Sequence, residues 1–169
     1  MIISVYSKLR AFKTKYPFTI SWRLMSHAKV INKHLTDGEK VLYAFAAQKN
    51  DHWYDVITTY AVVLTDKRII IGTKRLVFGY FLISITPDMF NDITVSSGLL
   101  WGKVYIDTIK EFITLSNIQK SALPEIQKTI SEYMMEEKKK FIQRENSKEL
   151  LFFSFYYIIY IVKIGDIMK

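Results

Sequence analysis

Few residues of this chain could do chemistry, and none of them belongs to a complete catalytic set. Asp51 and His52 form the one adjacent acid–imidazole pair, an arrangement that can orient a general base. No serine nucleophile motif accompanies this pair, and the chain contains no cysteine. We therefore interpret Asp51 and His52 as solvated loop residues and predict that the protein is not an enzyme.

The histidines and glycines also lack the spacing that metal ions or cofactors require. His27 and His34 fall within one predicted helix, where two turns separate them by roughly 10 Å, and no third ligand is evident. The glycines of Gly98–Gly102 are spaced for a turn between strands and not for a phosphate-binding loop. We expect neither a metal nor a cofactor.

Basic residues are the remaining candidates for a binding surface. The net charge is +8, and residues 1–40 contain eight Lys or Arg against two Asp or Glu. Residues 41–135 contain nine of each, and residues 136–169 contain seven against five. A surface for acidic lipid or nucleic acid should therefore involve the N-terminal arm first. A local basic cluster in the neutral region could contact a partner or anionic lipid, or could simply be solvated strand ends: Lys67, Arg68, Lys74 and Arg75.

The N-terminal arm predicts two helices. In residues 2–16, apolar side chains recur every three or four positions, and Lys8, Arg10 and Lys15 lie off the apolar face. Such a helix could pack on its own domain or could dock on a membrane surface or a partner. A similar spacing predicts a second helix over residues 21–35, before Asp37-Gly38.

From residue 41 the pattern changes to β-rich segments with short spacing. The strongest local signal is Thr65–Arg68, a polar corner between two apolar runs that predicts a tight hairpin turn. Gly79 indicates a bend or bulge within the fourth strand. Four aromatic residues could form an exposed surface, although the core is the expected place for aromatic side chains in a small barrel: Trp53, Tyr54, Phe78 and Trp101. Seven strands are predicted, which favours a small sandwich or barrel: 41–48, 56–64, 68–73, 76–85, 91–96, 99–107 and 110–115.

The C-terminal region begins with an amphipathic helix. Ser116 and Gln119 resemble a capping box, and a stripe beginning at Leu123 continues to about Met135. A charged stretch then precedes an almost wholly apolar run over residues 150–162, which covers ~20 Å against the ~30 Å of a bilayer core. This tail could pack on this or another subunit, or lie in a membrane interface. Its candidate contact residues are Phe152, Phe153 and Tyr156.

Two segments resemble bacterial pleckstrin-homology (PH) domains. Val63–Ile70 (VLTDKRII) resembles their "vlTdkRl" hairpin, and Gly98–Ile106 (GLLWGKVYI) resembles their "gllfGkl.i" strand pair. The chain is most similar to the YokE-like bacterial PH family over residues 38–135. The resemblance implies two packed antiparallel sheets capped by a C-terminal helix, and a binding or oligomerising module. The loop at residues 48–55 holds one Lys and two Asp, so phosphoinositide binding, as in eukaryotic PH domains, is not expected.

Together these patterns predict an α+β, mainly β protein in three parts. They are a basic helical arm (1–37), a PH-like domain (38–136), and a charged linker with an aromatic tail (137–169). The leading functional prediction is a cytoplasmic module for protein interaction or homo-oligomerisation. The alternative is peripheral association with an anionic membrane, at its inner face, through helix 2–16 and the tail. Nucleic-acid binding is the least favoured, and would require steep salt dependence.

Overall fold

The fold is known from a computed structural model that describes the chain at residues 2–49, 58–76 and 78–167. Side chains are described for residues 5–49, 58–76 and 78–151. Two helices precede seven strands, and a short 3₁₀ turn (Lys120–Ala122) leads into a long final helix. The elements are α1 (Ile2–Lys15), α2 (Leu24–Asn32), β1 (Val41–Gln48), β2 (Thr59–Thr65), β3 (Ile69–Lys74), β4 (Tyr80–Ile85), β5 (Phe90–Ser97), β6 (Trp101–Thr108), β7 (Phe112–Gln119) and α3 (Leu123–Ile167).

All neighbouring strands are antiparallel, in the order β4-β3-β2-β1-β7-β6-β5. The β1–β4 and β5–β7 halves are joined between β1 and β7 at a single pair, Gln48 with Ser116. The chain between α1 and α2 covers part of the β7 edge that β1 leaves open. There the Ile20 N–H donates to the Asn117 carbonyl (3.0 Å), and the Gln119 N–H donates to the Thr19 hydroxyl (3.0 Å).

The predicted hairpin corner is confirmed, and its side chains explain why it is stable. The Thr65 hydroxyl accepts the N–H groups of Lys67 (3.2 Å) and Arg68 (3.0 Å), and the Thr65 N–H donates to the Arg68 carbonyl (2.9 Å). The Asp66 carboxylate links the turn to the start of β1, because it accepts the Lys40 N–H (2.9 Å). The turn residues thereby satisfy the polar backbone groups that a two-strand corner exposes.

Apolar side chains on the two faces of the β1–β4 half build two cores. The inner core lies between the two halves of the sheet and is closed by α3 through Leu123, Ile126, Ile130 and Met134. On the outer face, α1 and α2 pack against β1, β2 and β3 in a second, smaller core. Its buried members are Val5, Leu9, Ala28, Ile31, Ala44, Ala61, Val63 and Ile70.

Helix α1 also contributes to the inner core, because its C-terminal end covers the gap beside β1. Phe12 lies 5.9 Å from Phe45 and 6.3 Å from Tyr43, measured between ring centroids. Phe12 and Tyr16 are both buried in the inner core. The packed alternative for this helix is therefore confirmed for its apolar face, and only its basic side remains exposed.

Several predicted boundaries were wrong for identifiable reasons. Helix α2 ends at Asn32, before the predicted residue 35. Strand β4 starts only at Tyr80, directly after Gly79, whose φ is +80°. The capping box is absent since Ser116 and Gln119 still pair within β7. Pro124 lies in the first turn of α3 and does not break it.

Helix α3 is much longer than its apolar stripe predicts. It continues unbroken over 45 residues, about 67 Å at the helical rise, through the predicted linker and the tail backbone. Its last buried side chain among those described is Met134, and every described side chain from 139 to 151 is exposed. The three-part division at 37 and 136 stays a prediction, although α1 and α2 share both cores with the sheet.

Candidate functional site

A groove runs between α2 and the β3–β4 hairpin, with a volume of about 480 Å³. Its apolar wall comes from Val30, and its end is closed by Gly79 and Tyr80. Lysines from both sides face it, because Lys29 and Lys33 are one helical turn apart and Lys74 ends β3. We call it the lysine groove and define it by Lys29, Asn32, Lys33, His34, Lys74 and Tyr80.

Two histidines fix α2 against the hairpin on either side of the lysine groove. The buried His27 accepts the Lys74 backbone N–H at Nδ1 (2.9 Å). His34 lies with Nδ1 2.8 Å from the Val30 carbonyl and Nε2 3.0 Å from the Tyr80 hydroxyl. Since a carbonyl oxygen can only accept, Nδ1 of His34 donates to it.

Burial explains the charge state of the first of these histidines. Loss of solvation, followed by the nearby Arg23 charge, lowers the pKa of His27 from 6.5 to about 4. The ring is therefore neutral near pH 7, and its Nδ1 is free to accept the Lys74 N–H. No group of three or more potential metal ligands occurs among the residues that the structure describes.

The lysine groove has donors that nothing in the described structure uses. Lys29, Lys33 and Lys74 are exposed, and no ion pair involves any of them within the described ranges. The side-chain oxygen and nitrogen of Asn32 are buried, with no hydrogen-bond partner in the described part of the chain. Its described lining contains no Asp or Glu. The groove is therefore electropositive and suited to an anion.

A second surface is apolar and lies around the β5–β6 turn. Leu99 is 90% exposed, Phe18 is 70% exposed, and Leu100 and Trp101 are also exposed beside Pro124. These five residues, which we call the Leu99 patch, border a shallow depression of about 560 Å³. Turn residues are usually small or polar, so two leucines at this corner are unusual for a turn alone.

The Leu99 patch is held by backbone and side-chain hydrogen bonds. The Trp101 indole N–H donates to the Phe18 carbonyl (2.7 Å), and the Phe18 N–H donates to the Gln119 side-chain oxygen (2.9 Å). The Lys120 N–H donates to the Leu100 carbonyl (3.0 Å). The three chain segments that carry the Leu99 patch are thus joined to one another, which lowers the backbone entropy that binding would cost.

A third exposed apolar group is the β3–β4 turn, where Leu76 is 61% and Phe78 is 85% exposed. Lys74 and Arg75 immediately precede it and are exposed as well. The expectation that Phe78 and Trp101 belong to the core was therefore wrong. Both lie at hairpin turns, where the apolar cores do not reach them.

The structure separates the other predicted contact residues. Lys8 and Arg10 are exposed on α1, whereas Lys15 pairs with Glu125 of α3. Lys67 donates to the Thr36 hydroxyl (3.0 Å) at the β2–β3 turn. The side chains of Phe152, Phe153 and Tyr156 lie outside those described, although their backbone belongs to α3. The loop residues Asp51, His52, Trp53 and Tyr54 lie outside the described residues.

Arg68 is engaged in the fold rather than free for a ligand. Its guanidinium contacts both carboxylate oxygens of the buried Glu39 at 3.1 Å, and also donates to the His34 carbonyl (2.7 Å) and Ser84 (3.1 Å). Burial alone would raise the pKa of Glu39, but Arg68 and hydrogen bonds from Thr36 and Thr65 outweigh it and bring the pKa to about 2.

Sequence reasoning missed the contribution of α2 to a binding surface. Lys29 and Lys33 are four residues apart in a predicted helix, which places them on one face, and this signal was available. Their proximity to Lys74 was not, because it depends on how α2 packs across β3.

The architecture defines a class of protein: a seven-stranded antiparallel sheet whose open side is closed by a C-terminal helix is a PH-like fold. The sequence model of the bacterial PH domain family matches residues 35–132. This match spans more than half of the chain, and the protein belongs to that family. PH-like domains are binding modules, and both α1 and α2 lie before the matched region.

The chain is similar to the crystal structure of a PH domain from Shewanella amazonensis SB2B, with 20% identity and a TM-score of 0.43. The similarity covers 64% of this chain and 85% of that one. Comparison with curated proteins gave no match. Among the described residues, no helix has the length and apolar character needed to cross a membrane.

Proposed function

We propose that this bacterial PH domain mediates protein–protein interaction through the Leu99 patch, with a second copy of the chain as the partner to test first. The observation that carries this proposal is the exposure of Leu99 and Phe18 on a surface fixed by hydrogen bonds. Burying such a rigid apolar surface gains free energy at roughly 25 cal/mol per Å² and freezes few side chains. We also propose the finer placement among YokE-like domains, on the Val63–Ile70 and Gly98–Ile106 segments.

The test compares two double variants that remove similar apolar surface from different turns. Leu99→Ser with Leu100→Ser alters the Leu99 patch, and Leu76→Ser with Phe78→Ser is the matched control at the β3–β4 turn. Size-exclusion chromatography with light scattering, over a range of concentrations, measures the mass of each. We expect the wild type to form a dimer or larger assembly, and only the first variant to become monomeric.

A third protein, residues 1–140, shows whether self-association depends on the Leu99 patch or on the C-terminal part of helix α3. Residues 1–140 keep every described buried side chain of α3 and also Lys138, which donates to the Phe90 carbonyl (2.6 Å). If this shortened chain is monomeric while Leu99→Ser/Leu100→Ser still assembles, the interface lies on α3 and the proposed surface is wrong. A wild type that is monomeric at every concentration contradicts self-association.

A second candidate function is peripheral association with an anionic membrane, favoured by the β3–β4 turn. Leu76 and Phe78 project there beside Lys74 and Arg75, and apolar side chains next to cations suit the boundary between headgroups and acyl chains. The almost wholly apolar run at 150–162 supports the same function, because a helix with so little polar surface needs an apolar environment. The apolar face of α1 is already buried and does not support it.

The same two double variants test this candidate by co-sedimentation with phosphatidylglycerol-containing vesicles. We expect Leu76→Ser/Phe78→Ser to reduce binding and Leu99→Ser/Leu100→Ser to leave it unchanged. If both variants and residues 1–140 bind the vesicles as well as the wild type does, neither the β3–β4 turn nor the tail contacts the membrane.

A further inference from the structure

We propose that the lysine groove is a binding site for a phosphate group, formed jointly by α2 and the β3–β4 hairpin. This site is separate from the Leu99 patch and does not depend on the protein-interaction function. Its whole α2 side lies before residue 35, where the family match begins, so one wall of the groove comes from outside the matched region.

Charge is the first argument for a phosphate ligand. Three lysines line one groove of about 480 Å³ whose described lining has no carboxylate. Gathering like charges without a counterion is unfavourable, and an ordinary solvated face would mix both signs, as α3 does with its Glu136–Lys140 pair. A bound anion with two or more negative charges would remove this repulsion and accept several hydrogen bonds.

The second argument is the amide of Asn32, which lines the groove between the two lysines of α2. Both of its polar atoms are buried without a described partner. A buried amide left without hydrogen bonds costs roughly 1–3 kcal/mol, so such groups are rare in folded proteins. A phosphate oxygen could accept from the Asn32 nitrogen after a small side-chain rotation, while the lysines bind the remaining oxygens.

The third argument is that the groove is built before any ligand arrives. His27 fixes the Lys74 backbone to α2, and His34 fixes Tyr80 to α2 at the other end. The width of the groove is therefore set by two hydrogen bonds that do not involve the lysine side chains. Binding then needs only the ordering of exposed lysines, at about 0.5–1.5 kcal/mol for each.

The experiment follows backbone amides and the Asn32 side-chain NH₂ by NMR during titration with inorganic phosphate, against chloride at equal ionic strength. We expect saturable shifts at Asn32, Lys74 and Gly79 with phosphate only. Lys29→Gln with Lys33→Gln should weaken binding about tenfold or more, because two charge-assisted contacts are lost. Lys8→Gln with Lys110→Gln is the control, since it removes the same charge from exposed sites elsewhere.

Vesicles distinguish a lipid headgroup from a soluble phosphate. If phosphatidylglycerol vesicles bind the wild type but the Lys29/Lys33 variant binds tenfold more weakly, the phosphate is that of a lipid. If inorganic phosphate binds and vesicles do not, the ligand is soluble. The proposal is overturned if phosphate gives no saturable shift at Asn32, if chloride gives the same shift, or if both lysine double variants weaken binding equally.

Discussion

Glu39 and Arg68 form a bidentate ion pair that connects the segment after α2 to the β2–β3 turn. The carboxylate is fully buried, the guanidinium side chain is 20% exposed, and both N···O distances are 3.1 Å. Thr36 donates to the same carboxylate through its N–H (2.8 Å) and its hydroxyl (2.9 Å). One buried charge thus joins the segment after α2 to the β2–β3 turn, which lies almost thirty residues further along the chain.

Replacing Glu39 by Gln should strongly destabilise the fold, since it leaves Arg68 partly buried without its counter-charge. We expect a loss of about 3 kcal/mol in the free energy of unfolding. Urea denaturation at pH 7 measures it, with Glu111→Gln on the exposed β6–β7 turn as the control. A loss no larger than that of the control would contradict a structural role for the pair.

The same carboxylate predicts acid sensitivity in a defined range. The pKa of Glu39 is about 2 in the folded protein against 4.5 for the free group, so its stabilising effect is complete above pH 4.5. It is lost as the pH falls from 4.5 towards 2, because the unfolded chain binds the proton first. Glu39→Gln should lack this part of the pH dependence of the free energy of unfolding. If the variant loses stability with the same slope as the wild type between pH 4.5 and 2, Glu39 is not the group responsible.

His27 predicts a second, separate loss of stability at less acidic pH. Its folded pKa of about 4 lies below the ordinary 6.5, so the neutral ring stabilises the fold above pH 6.5. That contribution, about 3 kcal/mol, disappears as the pH falls from 6.5 to 4, because only the unfolded chain gains the proton. Thermal unfolding followed by circular dichroism across this range measures the effect.

The control for this pH effect is His27→Gln, which keeps an oxygen able to accept the Lys74 N–H but does not titrate. Its melting temperature should change less between pH 6.5 and 4 than that of the wild type. If both proteins lose stability in parallel over this interval, another group is responsible.

Gly102 should tolerate no side chain, because β6 approaches α3 closely at this point. A β-carbon at Gly102 would collide with the Leu123 side chain and would lie 2.6 Å from the Ser96 carbonyl oxygen. We expect Gly102→Ala to cost about 1–3 kcal/mol. Ser97→Ala on the neighbouring strand is the control. Chemical denaturation checks this, and a stability equal to that of Ser97→Ala would show that the strands adjust freely.

Glu125 connects the end of α1 to α3 and β1, so we expect its loss to favour local unfolding of α1. It accepts hydrogen bonds from Lys15, from Tyr16 (2.6 Å) and from Tyr43 (3.1 Å). Burial, followed by the Glu125 charge, raises the pKa of Tyr43, so its hydroxyl keeps its proton and remains a donor. We expect Glu125→Gln to cost about 1–3 kcal/mol by weakening these charge-assisted bonds.

Hydrogen exchange locates that effect. The amides of α1 should lose protection in Glu125→Gln more than those of β2 and β3, because α1 depends on this contact and the central strands do not. Glu132→Gln, on the exposed side of α3, is the matched control. Uniform loss of protection throughout the domain would instead indicate that α1 and the sheet unfold as one unit.

Much of the fold follows from patterns within single elements. The Thr65–Arg68 corner predicted its hairpin because turn chemistry is local, and the α3 stripe that begins at Leu123 predicted a buried face because helical spacing is local. The capping box failed for a related reason. Ser116 and Gln119 fit a cap locally, but pairing with β1 and β6 keeps them in β7.

The sequence by itself determined which residues share a face of a helix or strand, and therefore the seven strands and the closing helix. Only the tertiary structure decided which of those faces are covered. Packing buried the apolar side of α1, left Leu99 and Phe78 exposed at hairpin turns, and brought Lys74 opposite Lys29 and Lys33. The physical reason is that periodicity reports direction within one element, whereas exposure and charge clustering depend on contacts between elements distant in sequence.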